Sequence, residues 1–175
     1  MIHFVLGGAR SGKSRHALAQ AAKRVALGDD CLFVATAEAF DEEMASRIQR
    51  HQQERTEDDL PWRTLECPLN LSDCLTEHAR HHQVILVDCL TLWLTNQLLS
   101  KNSDWPQIKS EFLATLSQLP GTIILVSNEV GGGLVAADPL SRQFVDEAGW
   151  LHQAIAAIAD EVVLVTAGLP MTLKG

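Results

Sequence analysis

The sequence predicts an α/β fold, a mostly parallel sheet flanked by helices. Short runs of Val, Ile and Leu alternate with longer segments of helical periodicity. The runs are apolar on successive residues, not on every second one, the pattern of strands buried on both faces. Strand–helix alternation then implies parallel pairing through right-handed crossovers. The 175 residues hold no repeat, low-complexity tract or linker, so residues 1–175 are expected to form a single domain.

In chain order, the strand runs are residues 2–6, 31–36, 84–88, 122–127 and 162–166, with a weaker candidate at 62–66. Helical patterns cover 13–27, 41–54, 71–81, 90–99, 105–119 and 140–159. The first helix is Ala-rich and stops at Gly28, a residue suited to the left-handed position after a helix. Residues 54–60 read as a polar, acidic loop closed by Pro61. In such a sheet, ligands sit beyond the carboxyl ends of the strands, so the residues just past each run are the candidates for a site.

After the first run comes Gly7-Gly8-Ala9-Arg10-Ser11-Gly12-Lys13-Ser14, which fits Gly-x-x-x-x-Gly-Lys-Ser/Thr between a strand and a helix. The glycines let successive backbone N–H groups curl inward around an anion, and the helix N-terminus adds partial positive charge. Lys13 reaches the β- and γ-phosphates of a nucleotide, and Ser14 is placed to ligate Mg²⁺. Asp88 ends the run Val84-Ile85-Leu86-Val87-Asp88, the position of a carboxylate that holds Mg²⁺ directly or through water. A strand-end Asp that only caps the next helix is the plainer alternative. Asn128-Glu129-Val130-Gly131-Gly132-Gly133 lies past another strand end and reads as a functional loop. The Asn-Lys-x-Asp guanine-reading motif is missing from the chain, which disfavours a switch-type GTPase.

On the helical pattern 41–54, Met44, Ile48 and His51 share one face, with Arg47 and Arg55 four residues to either side of His51 and Arg50 next to it. Guanidinium groups around an imidazole favour its neutral, nucleophilic form and can also hold phosphate oxygens. From composition alone, a solvated charged face is the favoured reading of this segment. His78, His81 and His82 also have helical spacing, but no Cys or carboxylate joins them, and a solvated helix end is expected. His16 and His152 fall within helical patterns and receive no role.

The formal net charge is −8, yet residues 1–28 carry Arg10, Lys13, Arg15, Lys23 and Arg24 with no acid. An acidic protein of this kind is not expected to coat nucleic acid. The longest charge-free stretch, 112–128, is broken by Pro120 and Gly121, so no membrane span is expected. The positive charges come after the first apolar run, the reverse of a secretory signal. Cys31, Cys67, Cys74 and Cys89 lack Cys-x-x-Cys spacing and read as reduced thiols of a cytoplasmic protein.

Taken in order, several segments resemble one family. They are residues 7–15; Ala35-Thr36-Ala37; Met44-Ala45-Ser46-Arg47-Ile48-Gln49-Arg50-His51; Trp62-Arg63-Thr64-Leu65-Glu66; Asp88-Cys89-Leu90-Thr91-Leu92-Trp93-Leu94-Thr95-Asn96; and Ser127-Asn128-Glu129-Val130-Gly131. Ala159-Asp160-Glu161-Val162 and Gly168-Leu169-Pro170 complete the set. Together they resemble the bifunctional adenosylcobinamide kinase/adenosylcobinamide-phosphate guanylyltransferases of cobalamin biosynthesis, across nearly the whole chain. The chain departs from the family pattern in its longer acidic loop at 56–60, at Ala136 in place of a frequent Pro, and at His152 in place of a frequent Asn.

The resemblance implies a RecA-like phosphate-loop (P-loop) fold and two reactions. ATP or GTP phosphorylates the aminopropanol hydroxyl of adenosylcobinamide. GTP then places GMP on an enzyme histidine, from which the phosphorylated corrinoid takes it to give adenosylcobinamide-GDP. The guanylylated histidine maps onto His51, overturning the composition-only reading. Nucleotide contacts map onto Gly7 to Ser14, onto Ala35, Thr36 and Ala37, onto Gln52, Gln53, Glu54 and Arg55, and onto Glu66 and Asp88. Mg²⁺ as cofactor and a homotrimer with sites near subunit contacts are also implied. Which of Arg47, Arg50 and Arg55 stabilises transition-state charge stays open. The competing readings are a monofunctional small-molecule kinase, with His51 structural, and a non-enzymatic nucleotide sensor.

Overall fold

The structure is a computed structural model that describes residues 1–37, 60–133 and 135–175. Seven strands form one sheet: β1 (Ile2–Gly7), β2 (Asp30–Ala35), β3 (Arg63–Glu66), β4 (Gln83–Asp88), β5 (Thr122–Asn128), β6 (Glu161–Thr166) and β7 (Leu169–Lys174). Their order is β3-β2-β4-β5-β1-β6-β7, and every pairing is parallel except β6 with β7. The described helices are α1 (Lys13–Ala26), α2 (Leu71–His78), α3 (Leu90–Leu99), α4 (Trp105–Leu116) and α5 (Pro139–Ile158).

Successive apolar residues in a strand feed opposite cores. Phe4, Leu6, Leu32, Val34, Ile85, Val87, Ile123 and Leu125 face one layer, where α2 to α5 contribute Leu75, Trp93, Phe112, Leu116, Leu151 and Ile155. Val5, Phe33, Val84, Leu86, Ile124 and Val126 face the other, against Ala17 and Ala21 of α1. The expected doubly buried strands are thus present, and the weaker candidate at 62–66 is β3. Two of the helices begin with a side-chain cap. Asp104 Oδ1 accepts from Gln107 N at the start of α4, and Asp138 Oδ1 from Ser141 N at the start of α5, each with a Pro in the first turn. Gly28 lies just past α1 with φ 97°, the left-handed conformation expected of it.

Three expectations need correction or fall outside the description. The strand β7 is absent from the sequence reading, because all six of its residues are exposed and Pro170 sits among them. It is an edge strand, the place where Pro is tolerated. It returns from β6 through the two-residue turn Ala167-Gly168, whose φ values are 53° and 79°. Helix α2 stops at His78, short of residue 81, since Ala79 is already extended with ψ 132°. His78, His81 and His82 therefore do not share a helix, and among the described residues no cluster of three His, Cys, Asp or Glu could hold a metal. The helix expected at 41–54 lies outside the described residues.

No described helix is long and apolar enough to cross a membrane. Cys31, Cys67, Cys74 and Cys89 are all free thiols.

Candidate active site

The parallel strands bring the sequence-predicted residues to one edge of the sheet. Gly7 ends β1 beside Asn128 of β5, Ala35 ends β2 beside Asp88 of β4, and Glu66 ends β3 beside Ala35. Between β1 and α1, residues 7–14 form a loop in which Gly8, Ala9 and Arg10 are exposed while Ser11 and Lys13 are buried. Its curl is tight. Ser11 N donates to Gly8 O at 3.2 Å, Arg10 has φ 56°, and Lys13 Nζ donates to Gly8 O at 3.1 Å. Gly7 has no room for a side chain, since a Cβ there would lie 2.3 Å from Ser11 Oγ and 2.6 Å from Val165 O.

Ser14 Oγ donates to Asp88 Oδ2 at 3.0 Å. The hydroxyl from the first turn of α1 and the carboxylate at the end of β4 thus meet, 74 residues apart in sequence. A hydroxyl and a carboxylate side by side make a hard oxygen donor pair, which fits Mg²⁺ better than a softer metal. Ser11 Oγ is buried with no hydrogen-bond partner. A donor left over in a loop shaped for anions fits a phosphate oxygen.

A network of polar groups fixes the rim around Asp88. Thr36 Oγ1 donates to Cys89 O at 2.7 Å and accepts from Cys89 N at 2.9 Å, while Thr36 N donates to Asp88 O. Asn96 Nδ2 donates to Thr36 O and Pro68 O, tying β2 to the segment after β3. Asn128 Nδ2 donates to Thr91 Oγ1 at 2.8 Å. Burial, with Asp88 beside it, pushes the Cys89 thiol up to about 11, so it stays protonated and does not serve as a nucleophile. The peptide between Asp88 and Cys89 is cis.

Of the expected site residues, Gly7 to Ser14, Ala35, Thr36, Ala37, Glu66 and Asp88 stand along this carboxyl edge. His51, Arg47, Arg50, Gln52, Gln53, Glu54 and Arg55 lie outside the described residues. Sequence reasoning missed the supports contributed by Thr91, Asn96 and Gly168. Gly168 N donates to Ser11 O at 2.8 Å, so the β6–β7 turn braces the phosphate loop. Asn96 offered a signal, being, with Thr91 and Gln97, one of three buried polar residues on a helix otherwise rich in Leu. It missed His152 as well, although its spacing from Ala148, Leu151 and Ile155 puts it on the buried face of α5. Its Nε2 lies 2.8 Å from Ser127 Oγ.

A phosphate loop after β1 and a hydroxyl–carboxylate pair beside it at the carboxyl edge define a nucleotide-binding protein of the phosphate-loop class. The sequence matches the cobinamide kinase/cobinamide phosphate guanyltransferase family, CobU, over residues 3–173, and the chain belongs to that family. It is 51% identical over 179 residues to the bifunctional adenosylcobalamin biosynthesis protein CobP of Pseudomonas aeruginosa, covering 100% of this chain and 98% of that one. It is 37% identical over 190 residues to the bifunctional adenosylcobalamin biosynthesis protein CobU of Salmonella typhimurium, covering 99% and 100%. Among solved structures, the flagellar accessory protein FlaH of Methanocaldococcus jannaschii aligns with a TM-score of 0.55 at 13% identity, covering 99% of this chain and 77% of that one. At that identity the likeness concerns the fold alone.

Proposed function

We propose that the chain, as a single domain over residues 1–175, carries out both transfers of its family on adenosylcobinamide. In the first, the aminopropanol hydroxyl attacks the γ-phosphorus of ATP or GTP. The new O–P bond forms as the bond to the β–γ bridging oxygen breaks, and the nucleoside diphosphate leaves with the electron pair. Catalysis of this step rests on positioning and charge neutralisation. The backbone of Gly7 to Ser14 cradles the phosphates and Lys13 neutralises them. Ala35, Thr36, Ala37, Glu66 and Asp88 flank the nucleotide. Ser14 and Asp88 would hold Mg²⁺, whose charge offsets that of the phosphate oxygens. The observation that carries this reading is the 3.0 Å contact of Ser14 with Asp88 at the mouth of the phosphate loop.

In the second transfer, His51 attacks the α-phosphorus of GTP and releases pyrophosphate. The phosphate of the phosphorylated corrinoid then takes the GMP, giving adenosylcobinamide-GDP and restoring the imidazole. Gln52, Gln53, Glu54 and Arg55 belong to this half of the site. Dividing the transfer into two displacements is the use of a covalent nucleophile. A homotrimer in the cytoplasm, with sites near subunit contacts, completes the proposal.

Incubation with Mg²⁺ and GTP labelled at the α-phosphate is expected to leave acid-labile label on the protein, absent from His51→Ala. Label that persists in that variant removes His51 from its role. Absence of label in the unaltered chain, with turnover of adenosylcobinamide and ATP intact, would support the monofunctional kinase.

A further inference from the structure

Phosphoryl transfer to the corrinoid needs a group to receive the hydroxyl proton of the acceptor, and none of the residues assigned so far does that. Three described carboxylates stand at the carboxyl edge: Asp88, Glu66 and Glu129. Asp88 accepts from Ser14 and belongs to the Mg²⁺ position. Glu66 ends β3, which lies four strand positions from β1, or roughly 19 Å at the usual spacing. Glu129 comes directly after β5, the strand paired with β1, and its N–H donates to Gly7 O of the phosphate loop at 3.0 Å. Its side chain stands 43% exposed, at a position a bound acceptor can reach.

The carboxylate of Glu129 is also held in place. Gly131 N donates to Glu129 Oε1 at 2.7 Å. A Cβ on Gly131 would approach that same oxygen to 3.0 Å, so the turn suits a residue without a side chain. Glu129 Oε2 stands 4.0 Å from Nδ1 of His152 on α5, an ion-pair distance that one water can bridge. His152 is itself fixed, with Nε2 against the fully buried Ser127 Oγ at 2.8 Å and its ring packed on Phe4 with centroids 5.6 Å apart. If Ser127 Oγ is the donor and Nε2 the acceptor, the neutral ring carries its proton on Nδ1, facing the carboxylate. Among these neighbours, His152 is the titratable one facing Glu129; Gly7 and Gly131 offer backbone only. Burial keeps the imidazole below its ordinary value of 6.5, with Glu129 pulling the other way. It is therefore neutral at pH 7 and leaves the carboxylate's charge uncancelled. Among the described residues, nothing comes within 4 Å of a Cβ built on Gly132 or Gly133.

We propose that Glu129 takes the proton from the acceptor hydroxyl as that oxygen bonds to the γ-phosphorus, and that His152 is the positioning residue behind it. The proton passes to the carboxylate as the O–P bond forms, and is given up to solvent after the nucleoside diphosphate leaves. This inference rests on the kinase reading, and it separates the two activities because only the first transfer uses Glu129.

The test is Glu129→Gln in the full chain, assayed with adenosylcobinamide and ATP, beside GMP labelling from α-labelled GTP. Kinase kcat should fall roughly 10²–10⁴-fold, with the nucleotide KM and the labelling retained. His152→Ala should lower kcat by up to roughly 10²-fold without raising the nucleotide KM, and His152→Asn, which restores a polar N–H, should recover most of it. Lys13→Ala, which disables nucleotide use itself, marks what failure of the kinase reading would look like. Kinase turnover within threefold of the unaltered chain in Glu129→Gln overturns the proposal. So does loss of labelling together with turnover, since that makes Glu129 a support of the nucleotide loop.

Discussion

The two faces of the sheet are built from different materials. On one, α2 to α5 pack large side chains, with Trp93 in contact with Trp105 and Phe112 at centroid distances of 5.3 and 4.7 Å. Trp93 is fully buried, and its Nε1 donates to Leu69 O at 2.8 Å. On the other, α1 meets the sheet through Ala17 and Ala21. Alanines let a helix axis come close, and that closeness sets Lys13 and Ser14 at the ends of β1 and β4. The thick face therefore supplies most of the aromatic burial, and the thin face supplies the groups that handle phosphate.

The largest expected effect belongs to the thick face. Trp93→Ala should cost about 3–5 kcal/mol of stability, measured by denaturant titration, while the molecules still folded keep their nucleotide KM. A raised KM at full folding would mean that the faces are not separable in this way. Next comes the thin face. Lys13→Ala should lower kinase turnover roughly 10²–10³-fold with little change in the melting temperature. Unchanged turnover would contradict the place given to the phosphate loop.

The smallest effect compares one histidine from each face. His16 of α1 and His152 of α5 both have pKa values lowered from 6.5, chiefly by burial. Glu161 opposes the shift at His16 and Lys23 adds to it, while Glu129 opposes it at His152. The unfolded chain takes up protons that these folded imidazoles resist. Their contribution is thus complete above pH 6.5 and is lost as pH falls from there through each folded value. Thermal melts across pH 7 to 5 should show a shallower decline in the double variant His16→Gln/His152→Asn. His152 should account for more of the difference than His16, being more deeply buried. An unaltered slope would remove both residues from the pH response.

The sequence made the parallel sheet legible because burial on both faces writes itself as unbroken apolar runs, as in Val84-Ile85-Leu86-Val87. The phosphate loop was legible because its chemistry needs consecutive positions. What distance in sequence separates was harder to see. Thr36 with Cys89, Asn96 with Thr36 and Pro68, and Gly168 with Ser11 join residues that no local pattern links. The strand β7 was hidden for a different reason. With its side chains exposed, no burial pattern marks it.

The bond from Gly168 N to Ser11 O has a consequence for the order in which the molecule becomes competent. Strand β1 is made well before its neighbours β5 and β6 and the turn that braces its loop. A nascent chain carrying only the phosphate-loop motif has neither the flanking strands nor the brace. Phosphate affinity should therefore arise only once residues near 168 have emerged and docked. The segment that most advertises nucleotide chemistry in the sequence thus acquires it only long after it has itself been translated.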